Sequence, residues 1–428
     1  MRIPRTVWTC CAASVLAVGA GALWLRPAPA SPLLGRGLQT SPQPVADAGF
    51  ADWRGVSSCT SSACHNRDDG RTTYARGSEY AVWSARDPHS RAYEVLFDRR
   101  SRAIQERLDK TLTADHDLLC IRCHVDPNAA RVADAAPVWY GDGVGCESCH
   151  GPAGGWLTAH VGAAWAGMTP DDKRRLGFHD MKNLTGRARA CADCHVGGDR
   201  AEVNHDLIAA GHPALLFEFS SFLDRYRPYQ HWSKEEDRRR HPAFEAEAWA
   251  VGQAVSAGAA MKLLKARAAG RGPWPEFAEY DCLSCHHDLK PLTREALGGH
   301  TAGVPAWSWY TALTPLLPEA LPGRDSDDLL EALRAEIEKR SPDRGAVADR
   351  AEALAAAYDE WLSRHEEVAQ GADALRTRLL RLTGPDGERL AGGGWEAARQ
   401  LSLAIAAQGR AGAVGLDAQA AIRSLVER

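Results

Sequence analysis

Five cysteine-histidine motifs constrain this chain more than any other feature. Four read Cys-x-x-Cys-His, the attachment signature of c-type haem, in which two thiols bond the porphyrin and the histidine is an axial ligand of the iron. The first motif is a wider version with four residues between its cysteines. In chain order we call them sites 1 to 5, and their residues are Cys59, Cys64 and His65; Cys120, Cys123 and His124; Cys146, Cys149 and His150; Cys191, Cys194 and His195; and Cys282, Cys285 and His286.

An isolated Cys-x-x-Cys pair is equally typical of a disulfide, a zinc site or a thioredoxin-like redox pair. Here a histidine directly follows every pair, although only 16 of the 428 residues are histidine. The repetition favours haem, and the sequence therefore predicts five covalently bound haem c groups. The wide first site is weak alone and depends on the other four.

The N-terminus predicts export. Arg2 and Arg5 precede an apolar run over about residues 7–25. The Ala28-Pro-Ala30 triplet that follows resembles the small-residue cleavage site of a signal peptide. Residues 1–30 are either a cleaved signal peptide or an uncleaved membrane anchor, because the run is long enough to span a bilayer. Both alternatives place the rest of the chain across the membrane, which predicts a periplasmic location. Residues 31–52, rich in Pro, Gly, Ser and Gln, are predicted to be a linker.

The composition predicts a globular protein rather than a nucleic-acid binder, with 45% hydrophobic residues, 25% charged residues and a net charge of -4. Residues 53–303 contain all five sites, which leaves too little chain for a separate apolar core around each cofactor. We therefore expect short helices and loops wrapped around packed haems, in a mainly α fold. Apolar spacing predicts helices over 90–108 and 243–269, packed on haem faces.

The chain after residue 303 differs in amino-acid composition from residues 53–303. Prolines and aromatic residues alternate over 304–323, which predicts a packed connector. Residues 324–428 contain no cysteine, and their apolar periodicity predicts a small helical bundle with helices over 325–340, 347–368, 372–382 and 395–408. The sequence leaves open whether this bundle docks on the haem domain or holds a partner.

The second axial ligand of each iron determines what the haem can do. Apart from the initiator there are only three methionines, whereas eleven histidines lie outside the motifs, so bis-His ligation is predicted. The position, spacing and sequence context of four of them favour His89, His160, His205 and His212. The remaining candidates for a fifth ligand are His116, His179, His231, His241, His287 and His300, and His365 is assigned a structural role.

Several stretches resemble the cytochrome c-552/c-554 family: the wide first site, Trp83-Ser-Ala-Arg-Asp-Pro-His89, CESCHGPAGGWLTAH and VNHDLIAAGHP. The resemblance covers about residues 53–290. It implies tightly packed, mostly bis-His haems that pass electrons between periplasmic partner proteins. A fifth motif and the C-terminal helices depart from the family's tetrahaem pattern, so the chain would be a pentahaem variant, and the resemblance does not assign its electron donor or acceptor.

Three functions remain open from the sequence. The first is an electron carrier with every axial position filled. The second is an oxidoreductase in which one open haem acts on nitrite, hydroxylamine or nitric oxide, although no Cys-x-x-Cys-Lys motif of a pentahaem nitrite reductase occurs. The third is a subunit of a larger respiratory complex, docked through residues 324–428.

Overall fold

The computed structural model describes residues 53–67, 76–126, 140–198, 201–226, 232–241, 243–270, 272–282, 286, 307–314, 317, 326–367 and 395–410. All of them belong to one compact unit, Val45–Arg428. The predicted export segment, the linker and the helix over 372–382 lie outside these residues. Among the helices that are described, none is both long and apolar enough to cross a membrane.

The described residues are mainly helical and contain no β-strand, which confirms the predicted fold class. The α-helices are α1 Glu79–Arg86, α2 Arg99–Leu108, α3 Leu118–His124, α4 Cys146–His150, α5 Pro170–Arg175, α6 Leu184–His195, α7 His205–Ala210, α8 Phe219–Arg225, α9 Lys234–Arg240, α10 Phe244–Ala269, α11 Ser308–Thr311, α12 Ser326–Ile337, α13 Arg344–Glu367 and α14 Trp395–Arg410. Short 3-10 helices join them at Val56–Cys59, Pro88–Arg91, Glu94–Phe97, Ala159–Val161, Ala163–Gly167 and Phe277–Glu279.

The predicted helix over 90–108 was only partly right. Two 3-10 turns occupy its first half, and α2 begins at Arg99. The reason is Asp98, whose extended backbone (φ -74°, ψ 168°) ends the preceding turn and whose carboxylate accepts the Ser101 backbone N–H at 2.8 Å. Aspartate at this position caps a new helix rather than continuing an old one.

The 26-residue helix α10 lies at the centre of the largest apolar core. Small residues dominate it, so α6, α8, α13 and α14 all pack closely against it. Trp249, Met261 and Leu264 of α10 are completely buried in this core. The predicted helices over 243–269, 325–340, 347–368 and 395–408 are each confirmed to within a few residues.

This core crosses the boundary that the sequence suggested between the haem region and the C-terminal helices. Its members run from Leu184 on α6 to Ala407 on α14, with α10 between them. The C-terminal helices therefore dock on the part of the chain that carries site 4. The predicted domain limits themselves (53–303, 304–323 and 324–428) stay predictions.

Two apolar clusters near site 2 are much smaller. One joins Leu96, Ile121 and Val125 around α3, and another joins Ile104 of α2 to Leu207 of α7. Several large apolar side chains in the same region are exposed, Phe97 and Leu118 among them. Our expectation that the macrocycles complete the core here stays a prediction.

Candidate functional site

The motifs of sites 2, 3 and 4 share one local structure. Helices α3, α4 and α6 each end at the motif histidine, so that the two cysteines lie three residues apart on one helical face. Side chains before α3 and α6 fix where these helices begin, since Asp117 accepts the Leu119 N–H at 2.8 Å and Asn183 accepts the Gly186 N–H at 2.7 Å. Local capping thus presents both sulfur atoms and the imidazole from a single turn.

Sites 1 and 5 reach a similar arrangement differently. The wide site 1 begins in the 3-10 helix Val56–Cys59, and a turn then brings the Cys64 N–H to the Ser61 carbonyl at 2.9 Å. In site 5 the His286 N–H donates to the Cys282 carbonyl at 2.7 Å, which is one helical turn. Cys285 lies outside the described residues.

Three motif histidines each lie opposite one of the predicted distal histidines. The ring centroids of His65 and His160 are 6.2 Å apart with 15° between their planes. The remaining two pairs are His89 with His195 (6.2 Å, 83°) and His205 with His286 (6.3 Å, 21°).

These separations fit one iron between each pair. A metal–imidazole bond is about 2.0–2.1 Å long, taking zinc as the guide, and the ring centroid lies about 1.2 Å behind its nitrogen, so two axial imidazoles have centroids about 6.4 Å apart. The described histidines therefore fit a bis-His haem at sites 1, 4 and 5.

Hydrogen bonds to Nδ1 orient several of these imidazoles. His65 contacts Glu79 at 3.0 Å and His89 contacts Asp87 at 3.0 Å. Three other histidines donate from Nδ1 to a backbone carbonyl oxygen: His124 to Ala92 at 2.8 Å, His160 to Leu157 at 2.5 Å and His212 to Pro213 at 2.8 Å. With Nδ1 occupied, Nε2 is the nitrogen that remains for iron.

His212 lies near His124 of site 2. Burial lowers the pKa of His124, and the neighbouring His212 imidazole lowers it further against the Ala92 hydrogen bond. Burial likewise lowers the pKa of His195 to about 4, helped by His89. Both shifts favour the neutral imidazole, which is the form that binds a metal.

His205 begins helix α7, and His212 follows its end. Helix α7 ends at Ala210 because Gly211 adopts a left-handed conformation (φ 117°). A side chain there would be strained. The turn separates the two imidazoles, so that His205 lies opposite His286 whereas His212 approaches His124.

An aromatic ring packs against the motif histidine of site 3. The His150 ring lies 6.1 Å from Phe178 with 21° between the planes, and the His179 backbone N–H donates to the His150 carbonyl at 2.9 Å.

Other candidates for the fifth ligand contact acidic groups, since His116 lies 3.0 Å from Asp115 and His241 lies 2.7 Å from Glu247. The side chains of His231, His287, His300 and His365 lie outside the described residues, and the fifth ligand stays a prediction.

Cysteines of different motifs lie side by side. A hydrogen bond to Cys146 lowers the pKa of the Cys59 thiol to about 6, which links sites 1 and 3. Cys123 contacts Cys194, which links sites 2 and 4, and Cys149 of site 3 lies near enough to Cys191 of site 4 to raise its pKa further. In a haem-loaded chain these sulfur atoms are thioethers and do not titrate. The motifs therefore follow the spatial order 1–3–4–2.

Site 5 joins this series through α7, which carries His205 at one end and leads into His212 at the other. Sequence reasoning missed the residue that assembles site 5, Arg267 near the end of α10. Its guanidinium donates to Glu202 at 2.9 Å, to Glu279 at 2.7 Å and to the Val203 carbonyl at 3.0 Å. The segments before His205 and before Cys282 are thereby tied to one buried side chain.

We call Arg267, Glu202 and Glu279 the Arg267 clamp, in which the positive guanidinium forms an ion pair with each of the two carboxylates. Burial lowers the pKa of Arg267, but Glu279 and Glu202 more than offset this, so its pKa lies above the ordinary value. Burial raises the pKa of Glu279 in spite of Arg267. Nearby, Glu276 accepts the His205 backbone N–H at 2.9 Å. The only sequence signal was the presence of acidic residues shortly before both site 5 segments.

Comparison with known proteins agrees with this chemistry. Residues 59–151, which contain sites 1 to 3, match the family model described as cytochrome c554 and c-prime. This part of the chain is therefore similar to c-type cytochromes, a class that binds haem covalently and has a redox role. Searches of curated proteins and of solved structures gave no match to the chain.

Proposed function

We propose that the protein is a periplasmic, multihaem c-type cytochrome that transfers electrons through five covalently bound, mostly bis-His haems. One observation carries the proposal: three motif histidines lie opposite three predicted distal histidines at centroid separations of 6.2–6.3 Å. Such pairs would hold a haem iron between two imidazoles. The haem supplies a reversible one-electron couple at each site, and a saturated iron keeps small molecules from binding.

The chain's own residues give each cofactor two kinds of support. Two cysteines and a histidine from one motif would hold the haem covalently and ligate its iron, and a histidine from a distant segment would supply the second ligand. The proposed pairs are His65 with His160, His124 with His212, His195 with His89, and His286 with His205. His150 completes the set with a ligand that is not assigned.

The contacts between motifs support an electron path. Cys59 and Cys146, Cys123 and Cys194, and Cys149 and Cys191 bring neighbouring motifs close together, so cofactors attached there would be near neighbours. Helix α7 adds site 5 next to site 2. We infer a path in the order 1–3–4–2–5, with redox partner proteins at its ends.

The sequence supports the proposed location and partners. Haem c is attached outside the bacterial cytoplasm, and the basic and apolar residues 1–30 are suited to export, either as a cleaved signal peptide or as a membrane tether. The net charge of -4 suits redox proteins as partners better than nucleic acid.

Electron paramagnetic resonance of the purified, oxidised protein tests the proposal, combined with iron and covalent haem counts. We expect five haems per chain, with low-spin signals from the bis-His sites. An iron-to-protein ratio far from five would contradict the haem assignment. A quantified high-spin signal from about one haem in five would show an open axial position and favour the oxidoreductase, which nitrite, hydroxylamine and nitric oxide assays would then examine.

A further inference from the structure

Five hydrogen bonds made by Nδ1 of axial imidazoles in the described part of the chain fall into two classes. Carboxylates accept from Nδ1 of His65 and His89, whereas backbone carbonyls accept from Nδ1 of His124, His160 and His212. Site 1 and site 4 therefore each have one imidazole hydrogen-bonded to a carboxylate. Both imidazoles of site 2 are hydrogen-bonded to neutral groups.

Asp87 is fixed beside His89 by its surroundings. It is only 1% exposed, and its Oδ1 accepts both the backbone N–H and the Nδ1–H of His89 at 3.0 Å. Tyr226 donates its hydroxyl proton to the other carboxylate oxygen. Pro88, at the start of the 3-10 helix, helps to set the backbone that joins Asp87 to His89. The carboxylate thus cannot turn away from the imidazole.

Glu79 reaches His65 through a turn that requires glycine. Its Oε2 lies 3.0 Å from His65 Nδ1, and its Oε1 accepts the Gly77 N–H at 3.1 Å. Gly77 has φ 94°, and a Cβ there would meet the Cys64 carbonyl oxygen at 2.9 Å. The glycine therefore allows the turn that carries Glu79 beneath the motif.

A carboxylate on Nδ1–H draws the proton and makes the imidazole a more electron-donating ligand. A more donating ligand stabilises ferric iron more than ferrous iron and lowers the reduction potential, one of the means by which a protein tunes haem. A neutral carbonyl has a weaker effect. The two carboxylates should therefore lower the reduction potential of their haems more than the three carbonyls lower that of theirs.

We propose that Glu79 and Asp87 are positioning residues that lower the reduction potentials of the site 1 and site 4 haems, which leaves site 2 as the most readily reduced of these three. This inference rests on the proposed function. In the order 1–3–4–2, site 2 is the end at which both imidazoles have neutral acceptors, whereas site 1 combines the Glu79 carboxylate with the Leu157 carbonyl.

Redox titration of the full-length holoprotein, followed by visible absorption, tests this with two isosteric variants, Asp87→Asn and Glu79→Gln. In each variant we expect one haem to become easier to reduce, with its reduction equilibrium constant raised about tenfold, which is about 59 mV for a one-electron couple. Glu94→Gln is the matched control, since it removes one exposed carboxylate from the same region. An equal rise in the control, or no rise in either variant, would overturn the proposal.

Tyr226→Phe gives a test of opposite sign that keeps the ring in place. Without the tyrosine hydroxyl, Asp87 accepts more strongly from His89, so the site 4 potential should fall rather than rise. A rise or no change would contradict the role of Asp87. Five covalent haems and unchanged low-spin resonance must first be recorded for the wild type and each variant. If the wild type lacks them, the proposed function fails, whereas normal spectra with unmoved potentials refute only this inference.

Discussion

Arg267→Met removes the cation that joins the two segments of site 5 while keeping an apolar side chain of similar length. Arg267 is 8% exposed, Glu279 is 5% exposed, and Glu202 is 30% exposed. Removing one partner from a buried ion pair typically costs about 3–5 kcal/mol, because the remaining charge is buried without compensation. We expect a loss of about that size in the free energy of unfolding at pH 7.

Glu279 gives this loss a pH dependence. Burial already raises its pKa, and without Arg267 the pKa rises further. A raised pKa in the folded state contributes stability at low pH that is lost as the pH rises through it. The penalty of Arg267→Met should therefore shrink as the pH falls towards 5, since Glu279 then folds as a neutral acid. Urea unfolding followed by circular dichroism at several pH values measures this.

Lys265→Met is the control on the same helix. Lys265 lies 2.5 Å from Glu352, but the two side chains are 41% and 61% exposed, so this pair should contribute about 0–1 kcal/mol. Equal losses in the two variants would refute the argument for a buried clamp. Arg267→Met should also reduce the low-spin resonance of one haem, because His205 and His286 are no longer held opposite each other.

Two further predictions concern other parts of the fold. Burial alone would raise the pKa of Glu245, but the Arg238 hydrogen bond and the nearby lysine lower it, so its stabilising effect is present above about pH 4.5 and is lost as the pH falls through the lower folded value. Glu245→Gln should flatten the acid limb of the plot of unfolding free energy against pH, and an unchanged limb would contradict this. Leu354→Ala empties a completely buried position on α13 and should cost about 2–5 kcal/mol in denaturant unfolding while the haem absorption spectrum stays unchanged. An altered spectrum would show that α13 supports a haem site directly.

The sequence was most informative where the chemistry is local. The spacing of the Cys-x-x-Cys-His units identified the motif cysteines and histidines, although the helices α3, α4 and α6 that carry three of them were not predicted. The helices over 243–269 and in the C-terminal segment were also predictable, because apolar periodicity and capping are properties of consecutive residues. The helix over 90–108 was misjudged because its apolar spacing continued past the Asp98 cap.

The pairing of ligands was a different problem. Composition and the shortage of methionine identified His89, His160, His205 and His212 as axial candidates, but gave no assignment to particular motifs. His89 lies next to site 1 in sequence and is opposite His195 of site 4 in space. Such a pairing depends on how distant helices pack, and no local pattern encodes it.

The sequence by itself thus determined which cofactor the chain is suited to bind, through thiols and imidazoles placed within single turns. Only the tertiary structure decided which imidazoles face each other, which motifs are neighbours and which acceptor holds each Nδ1. Arg267 shows the reason, because its two carboxylates come from separate segments and become partners only when α10 is buried between them. Covalent attachment depends on neighbours in the chain, whereas axial ligation and redox tuning depend on neighbours in space.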